Sequence, residues 1–447
     1  MVCELVRHDG NEGLAMALEL SILGCWRGYP LHVHTEGLRG TGKTTMIRGA
    51  AALLGRLTRI AGCPYNCDPA CPHCPRHRGL SPEAIAALGR EEVPMPFLEI
   101  SASAKLGTVV GSIDLARLTA AANAEAALLP GTLARAHRGV VFVDEINRLA
   151  DVAPELADAL LDVMGTKPGR LQIEEAGLNP VSMPCQVTVW AASNPDEEPG
   201  PLSDVRRQLA DRFDFGVAMR RPTDPEDVRA ILRQDLLTRN GSPVATLERA
   251  PNLDGARNRP MPAFDAELLE RLVAVYCDFQ LESLRAVQAW QAGTLLMALR
   301  ADRDRVTLED VRRTAPLVLH HRLESDDLAR VLSRLEPNET IVMESDPDRG
   351  TSSPHSHPKA AGERVAGGVA SLQEPGGTGV GAQHPGGWRE RLFGRRGAES
   401  DRFGVPSLTH LADPTRMPPV VPRAPARPIG RLPTDELWMA ARDLEGR

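Results

Sequence analysis

Near the start of the chain, apolar residues recur at helical spacing and then give way to a short alternating run. Asn11 to Cys25 carries the helical spacing, and Pro30 to Thr35 alternates well enough to be a strand. The Ala- and Leu-rich segment from Met46 to Leu57 predicts a second helix. The chain therefore opens as helix, strand, loop and helix.

Two later apolar runs are typical of buried strands. Val140 to Val143 is continuously apolar and ends in two carboxylates, the pattern of a parallel strand covered on both faces. Gln186 to Ala192 is the next such run, and it ends in Ser193-Asn194-Pro195. Strands that alternate with helices predict an α/β fold, in which a parallel sheet is flanked by helices.

The second half of the chain first becomes helical and then loses its apolar pattern. Asp224 to Arg239 and Ala263 to Leu323 predict successive helices, one of them opened by the capping box Thr307-Leu-Glu-Asp310. Ser345 to Gly387 is rich in Gly, Pro, Ser and His, which predicts disorder. We therefore predict an α/β domain over residues 1–222, an all-helical domain over 223–335 and a disordered, Pro- and Gly-rich tail over 336–447.

The loop after the first strand matches the phosphate-loop pattern G-x-x-x-x-G-K-[ST]. Its glycines let backbone N–H groups surround a phosphate, and the following helix directs its positive end at the same anion. Lys43 would reach the β- and γ-phosphates, and the Thr44 hydroxyl would ligate Mg²⁺. We therefore expect ATP with Mg²⁺ to bind at Gly37, Leu38, Arg39, Gly40, Thr41, Gly42, Lys43, Thr44 and Thr45.

Polar residues at the ends of the two later strands complete a hydrolytic site. Asp144 can hold Mg²⁺ through water, and Glu145 can polarise the attacking water for displacement at the γ-phosphate. Asn194 can hydrogen-bond the γ-phosphate or that water. A nucleotide-dependent switch that signals by assembly alone has no need of Glu145. The pattern therefore favours an ATPase over a switch.

Composition narrows the list of partners and compartments. A net charge of −7 argues against a general nucleic-acid binder, and no run of 18 apolar residues is present to span a membrane. The N-terminus lacks the basic and apolar segments of a signal peptide. We expect a cytosolic protein that binds neither nucleic acid nor membrane.

Four of the eight cysteines fall within twelve residues, at Cys63, Cys67, Cys71 and Cys74. Prolines between them exclude a helix or a regular strand, and His73 and His77 lie close by. Thiolates this close repel one another unless a cation holds them, so we expect the four cysteines to bind one structural metal centre. The spacing C-x3-C-x3-C-x2-C matches neither a standard zinc finger nor a ferredoxin, which leaves Zn²⁺ and an iron–sulfur cluster open. An ordinary loop with incidental cysteines is the remaining alternative.

From about Gly10 to Leu323 the chain resembles AAA+ ATPases, and most closely the ATPase subunit of magnesium chelatase. The resemblance is carried by the phosphate loop and by six further stretches: Val110-Gly-Ser-Ile-Asp114, Leu129 to Asn147, Ala159 to Val163, Ser193-Asn-Pro195, Arg206 to Phe213 and His321-Arg322. It implies that 1–222 is a AAA+ nucleotide-binding domain and that 223–335 is its helical lid.

The resemblance also implies an assembly and a set of roles. Six subunits would form a ring that hydrolyses ATP at subunit interfaces. The ring would work with a subunit bearing an integrin-type (VWA) metal-binding domain and with a large catalytic subunit that inserts Mg²⁺ into protoporphyrin IX. By position, Asn194 matches the first sensor, Arg212 the arginine finger, Arg285 the second sensor and Arg206 a further interface arginine.

The chain departs from the family pattern in two places. It has Lys105-Leu-Gly-Thr108 where the family usually has Thr-Glu-Asp-Arg, and it has the cysteine-rich segment. These differences keep two alternatives open: a MoxR-like chaperone that acts with a VWA-domain partner, and the ATPase of a chelatase for another metal. No Asp-x-Ser-x-Ser stretch follows, so we expect the VWA domain on a separate protein.

Overall fold

Five parallel strands form the main sheet of this structure, a computed structural model that describes residues 5–113, 128–174, 180–239, 253 and 255–336. In spatial order the strands are β11 (Phe215–Ala218), β1 (Val33–Glu36), β10 (Thr188–Ser193), β7 (Val140–Val143) and β4 (Phe97–Ile100). Because all neighbours are parallel, their carboxyl ends meet at one edge of the sheet. The predicted α/β fold with a parallel sheet is confirmed.

Three antiparallel two-stranded pairs lie outside the main sheet. They are β2 (Arg56–Ile60) with β3 (Arg90–Pro94), β5 (Gly111–Ile113) with β6 (Leu128–Pro130), and β8 (Gly169–Ile173) with β9 (Val181–Cys185). The cysteine-rich segment connects β2 to the helix that precedes β3.

Helices cover the sheet in the first two thirds of the described chain and then form a helical lid. The first group comprises α1 (Glu12–Trp26), α2 (Lys43–Ala51), α3 (Pro82–Leu88), α4 (Leu106–Val109), α5 (Thr132–Arg135), α6 (Ile146–Val152), α7 (Pro154–Gly165) and α8 (Leu202–Ala210). The second comprises α9 (Pro225–Arg239), α10 (Ala266–Asp278), α11 (Leu284–Arg300), α12 (Leu308–Leu319) and α13 (Ser325–Arg334). None of the described helices is long and apolar enough to cross a membrane.

Two local predictions had opposite outcomes. The predicted helix from Met46 to Leu57 is wrong at its C-terminal end, because α2 ends at Ala51 and β2 begins at Arg56. Gly55, at φ +76°, turns the chain between these elements. The capping box that opens α12 is confirmed, since the Thr307 side chain accepts from the Asp310 N–H and the Asp310 side chain accepts from the Thr307 N–H.

Both faces of the main sheet are buried, which explains the uninterrupted apolar runs. In β7, Val140 and Phe142 face one hydrophobic cluster, and Val141 and Val143 face the other. A strand with one polar face would alternate instead.

The first cluster continues from the sheet and α1 into the lid helices. Trp290 of α11 is fully buried there, and its Nε1 donates to the carbonyl oxygen of Val311 at 2.9 Å. Glu19 of α1 is also fully buried and is held by Arg7 and by Arg300 of α11. The lid is therefore packed on the sheet domain through apolar and ionic contacts. The domain limits at 222 and 335 stay a prediction, and the tail predicted for 336–447 lies beyond the described residues after Glu336.

A mostly buried ion pair joins the segment after α7 to the start of β11. Lys167 Nζ lies 2.7 Å from Asp214 Oδ1, and their side chains are 17% and 8% exposed. Burial alone would raise the pKa of the Asp214 carboxyl, but Lys167, His32 and the His32 N–H hold it below its usual value. The carboxylate is therefore charged and depends on this lysine.

We expect Lys167→Ala to lower the free energy of unfolding by about 3 kcal/mol, because it leaves a buried carboxylate without its counter-charge. The matched control is Arg229→Ala, which removes an exposed pair with Glu226 and should cost less than about 1 kcal/mol. Urea unfolding of both variants measures the difference. Equal costs for the two variants would contradict the importance of the buried pair.

Candidate active site

The phosphate loop connects β1 to α2 at the carboxyl edge of the sheet. Gly42 adopts φ +92° and ψ +11° directly before α2, and Gly40 adopts φ +74°, conformations that favour glycine. A Cβ on Gly37 would lie 2.6 Å from the Met219 carbonyl oxygen, so this position has no room for a side chain. The three glycines thus let the loop curl tightly over the N-terminus of α2.

Lys43 is oriented by the loop itself and by the neighbouring strand. Its Nζ donates to the carbonyl oxygens of Gly37 at 2.5 Å and Leu38 at 2.9 Å, and to Asn194 Oδ1 at 2.7 Å. Burial lowers the pKa of Lys43, whereas nearby carboxylates, led by Asp144, act in the opposite direction. The ammonium group therefore lies in the curl of the loop, where a phosphate would be bound.

Thr44 and Asp144 meet between α2 and the end of β7. The Thr44 hydroxyl donates to Asp144 Oδ2 at 2.9 Å, although the two residues are 100 positions apart in the chain. Hydroxyl and carboxylate oxygens are suitable Mg²⁺ ligands, directly or through water. This contact brings together the two residues that the sequence predicts for the metal.

Glu145 follows Asp144 in a left-handed conformation, with φ +53° and ψ +51°. A glutamate rarely adopts this region, and such residues are concentrated at functional sites. The turn directs the carboxylate toward a cavity of about 320 Å³ that Asn194, Glu197 and Glu198 also line. Arg148 Nη1 donates to Glu145 Oε2 at 3.4 Å, and the glutamate remains partly exposed.

Besides Lys43, Asn194 has a partner that the sequence pattern does not identify. Asn147 is buried on α6, and its Nδ2 donates to the carbonyl oxygens of Asn194 at 3.3 Å and Gly200 at 2.8 Å. Arg39 of the phosphate loop pairs with Glu197, three residues after Asn194. A buried asparagine needs hydrogen-bond partners, so the position of Asn147 on the inner side of α6 is the signal that could have identified it.

Arg212 and Arg285 lie together at the amino edge of the sheet, opposite the phosphate loop. Arg285 donates to the carbonyl oxygens of Met164, at 3.3 Å, and Gly165 at the end of α7. Burial and then the nearby Arg212 lower the pKa of Arg285. Within the described ranges, Arg212 has no carboxylate partner.

The surroundings of Arg285 indicate which edge of the sheet it occupies. It lines a cavity of about 860 Å³ with Lys167 and with Asp214, which accepts from the His32 N–H at 2.7 Å. His32 precedes β1 and Gly37 follows it, so the two lie roughly 16 Å apart at about 3.3 Å per residue. Arg285 is therefore on the side of the sheet where β1 begins, whereas the phosphate loop follows the end of β1. Arg206, the further arginine, is paired with Asp158 of α7.

The cysteine-rich segment brings together four candidate metal ligands, which are not the same four that the sequence predicts. Cys63, Cys67 and Cys74 converge, and the fourth member of the group is His77. Cys71, the remaining predicted ligand, is exposed and lies outside the group. The last residue of the motif Val110-Gly-Ser-Ile-Asp114 lies outside the described residues.

The residues at the carboxyl edge fit ATP with Mg²⁺. The loop offers backbone N–H groups and Lys43 to phosphates, while Thr44 and Asp144 offer oxygen ligands to the metal. Glu145 and Asn194 line the adjoining cavity, where water could attack a terminal phosphate. The arrangement is suited to phosphoryl transfer to water.

The sequence of this chain is similar to those of known nucleotide-dependent proteins. A family model described as "AAA lid domain" matches residues 269–344. The magnesium-chelatase 38 kDa subunit of Acidiphilium rubrum is 35% identical over 316 residues, which cover 66% of this chain and 85% of the relative. The corresponding subunit of Cereibacter sphaeroides is 32% identical over 343 residues, covering 73% and 94%.

Among solved structures, a chain from the cryo-EM-based complex of subunits BchI and BchD of magnesium chelatase is 26% identical. The match covers 71% of this chain and 94% of that one, with a TM-score of 0.35. The family assignment rests on the two curated relatives, whose similarity extends over most of their length. The chain belongs to the magnesium-chelatase I-subunit family of AAA+ ATPases.

Proposed function

We propose that this chain is the ATP-hydrolysing motor subunit of a magnesium-chelatase-type complex. In that complex, hydrolysis would drive insertion of Mg²⁺, the substrate metal, into a tetrapyrrole. The proposal rests on two contacts at one edge of the sheet, in a chain of this family. Lys43 contacts Asn194, and Thr44 contacts Asp144.

Each residue at this edge has a distinct task in the proposed reaction. Lys43 neutralises the β- and γ-phosphates, and Thr44 with Asp144 holds the Mg²⁺ of the nucleotide. Bound Mg²⁺-ATP supplies the γ-phosphoryl group that water attacks. Glu145 orients that water. Asn194 positions Lys43 by accepting its hydrogen bond, and it lines the cavity beside the γ-phosphate. Phosphoryl transfer depends mainly on positioning and charge stabilisation, which these residues supply.

The same proposal extends to an assembly. The curated relatives are named as subunits, so other subunits must complete their activity. We propose a homo-hexameric ring, a VWA-domain partner and a large catalytic subunit that binds the tetrapyrrole. Arg212 as arginine finger and Arg285 as second sensor would then act on the nucleotide of a neighbouring subunit. Their place at the edge opposite the chain's own phosphate loop supports action across an interface.

The chelatase function is favoured over the two alternatives by the family. The relatives from Acidiphilium rubrum, Rhodobacter capsulatus and Cereibacter sphaeroides are each named as a magnesium-chelatase subunit. We therefore propose protoporphyrin IX as the tetrapyrrole and the cytoplasm as the site of assembly.

Replacement of Lys43 tests whether ATP binds at this loop. Lys43→Ala removes the charge in the phosphate cradle, and we expect ATP affinity to fall roughly 100-fold, the upper end for a lost charge-assisted hydrogen bond. Binding of a fluorescent ATP analogue measures the affinity. Arg229→Ala, on the exposed side of α9, is the control and should bind ATP normally.

A reconstituted chelation reaction tests whether the complex inserts Mg²⁺ into protoporphyrin IX. Purified chain, mixed with the VWA-domain and large subunits of a relative, should support ATP-dependent loss of free protoporphyrin IX fluorescence and formation of the Mg²⁺ product, and the Lys43 variant should not. ATP hydrolysis without any chelation by the complete mixture would contradict protoporphyrin IX as the substrate and would leave the ATPase assignment intact.

A further inference from the structure

Three thiols and one imidazole converge in the segment between β2 and β3. The ligand atoms of Cys63, Cys67, Cys74 and His77 all lie within 4.8 Å of one another. The cysteines are buried and none is in a disulfide, while His77 is half-buried. Donor atoms around a tetrahedral zinc ion, with Zn–S near 2.3 Å and Zn–N near 2.0 Å, lie roughly 3.5 to 3.8 Å apart. The spacing in the segment is close to what zinc needs.

Two backbone turns aim these side chains at a common point. Cys63 and Cys67 flank a turn in which Asn66 takes φ +52°, and the Ile60 N–H closes it on the Cys67 carbonyl oxygen at 3.0 Å. Cys74 and His77 lie three positions apart on a second turn, closed by the His77 N–H on the Cys74 carbonyl oxygen at 3.0 Å. Each turn therefore contributes two ligands.

Cys71 belongs to a separate turn. Its N–H donates to the Asp68 carbonyl oxygen at 3.1 Å, in a small bridge between these two residues. Its side chain is exposed, whereas the three converging thiols are buried. The backbone thus directs this cysteine away from the other three.

The Cys67 sulfur has two further polar neighbours. Its Sγ accepts from the Cys74 N–H at 3.3 Å and lies 3.3 Å from His73 Nδ1. The His73 ring stacks on His137, with ring centroids 3.7 Å apart. Hydrogen-bond donors around a ligating sulfur are typical of metal sites, where they orient the ligand and stabilise its charge.

We propose that Cys63, Cys67, Cys74 and His77 form a Cys3His zinc site, and that Cys71 is not a ligand. Three cysteines and one histidine are a common ligand set for structural zinc, whereas iron–sulfur clusters are usually held by four thiolates. All four positions are filled by the protein, which leaves no open position for a substrate.

The site has a structural role, because its segment contacts and stabilises the turn that leads into β7. Asn66 Nδ2 donates to the Arg135 carbonyl oxygen at 2.7 Å, and Asp68 pairs with Arg138 at 3.0 Å. His73 reaches the same turn through His137. The metal fixes the two ligand turns relative to each other, and these contacts extend that order to β7, which Asp144 follows.

Metal content and native alkylation of the full chain test the site without any mutation. We expect one zinc per chain, with no iron or sulfide. Iodoacetamide should label Cys71 and the exposed Cys277 in the native protein, and should reach Cys63, Cys67 and Cys74 only after a chelator removes the metal. Absence of metal, with all four clustered thiols labelled in the native chain, would overturn the proposal. So would stoichiometric iron and sulfide.

Matched variants separate His77 from Cys71 as the fourth ligand. His77→Ala should lower zinc affinity by more than the roughly 10- to 100-fold that changes around a site's ligands produce, and Cys71→Ser should leave it unchanged. His77→Cys should retain the metal, and its Co²⁺ form should shift from the visible spectrum of three thiolates and an imidazole to that of four thiolates. Zinc kept by His77→Ala and lost by Cys71→Ser would overturn the assignment. If His77→Ala fails to fold, the labelling pattern of the unaltered chain decides between the two.

Discussion

Glu145→Gln is expected to leave ATP bound and to lower its hydrolysis by on the order of 10²- to 10⁴-fold. The substitution keeps the size of the side chain and removes only its charge, which we propose polarises the attacking water. Lys43, Thr44 and Asp144, which we propose hold the nucleotide and its metal, are untouched, so affinity should be preserved. Phosphate release at saturating ATP measures turnover, and equilibrium binding of labelled ATP measures affinity.

Glu198→Gln is the matched control for this prediction. Glu198 is a second carboxylate on the same cavity, and it is exposed and makes no ion pair within the described parts of the chain. The same chemical change there should leave turnover close to that of the unaltered protein. Near-normal hydrolysis by Glu145→Gln would show that Glu145 is not the residue that activates water.

The carboxyl edge of the sheet was predictable from sequence because its determinants are local. Gly37 to Thr45 specifies a strand–loop–helix, and the apolar run of β7 places Asp144 and Glu145 at a strand end. Parallel strands place all such ends at one edge. The contact of Thr44 with Asp144, across 100 residues of chain, follows from these facts together.

The geometry of the cysteine-rich segment was not predictable in the same way. Spacing alone made Cys71 equivalent to the other three cysteines, and His77 only a neighbour. The choice between them depends on where each turn directs its side chains, which is set by the αL conformation of Asn66 and by backbone bonds such as that of Cys71 to Asp68. The C-terminal end of the predicted helix from Met46 failed for a related reason, since Leu57 belongs to a strand whose partner, β3, comes about 35 residues later.

The place of the two arginines depends on contacts between distant elements. Arg212 lies three residues before the start of β11, and Arg285 is the second residue of α11, so no local pattern relates them. Packing of the lid on α1 brings α11 over the end of α7 and sets Arg285 beside Arg212. The resemblance assigned each a role at a nucleotide, and the fold places both away from the chain's own phosphate loop. We propose that both arginines act on a nucleotide bound by a neighbouring subunit, which would be consistent with the implied roles and with this placement.

Arg212→Ala is therefore expected to bind ATP and to hydrolyse it on the order of 10³-fold more slowly, because it removes a transition-state charge supplied across an interface. Mixing this variant with Glu145→Gln should restore hydrolysis. In randomly mixed rings, about one quarter of the interfaces join an intact Glu145 to an intact Arg212, since head-to-tail contacts take one residue from each subunit. Steady-state phosphate release across a series of mixing ratios, with a maximum near equal amounts, is the measurement. Arg207→Ala, which removes an exposed arginine of α8 that is paired with Glu282, is the control and should retain activity alone. Subunit exchange, followed by energy transfer between labelled variants, establishes that the rings are mixed; mixed rings without any recovery would show that Arg212 does not act in trans.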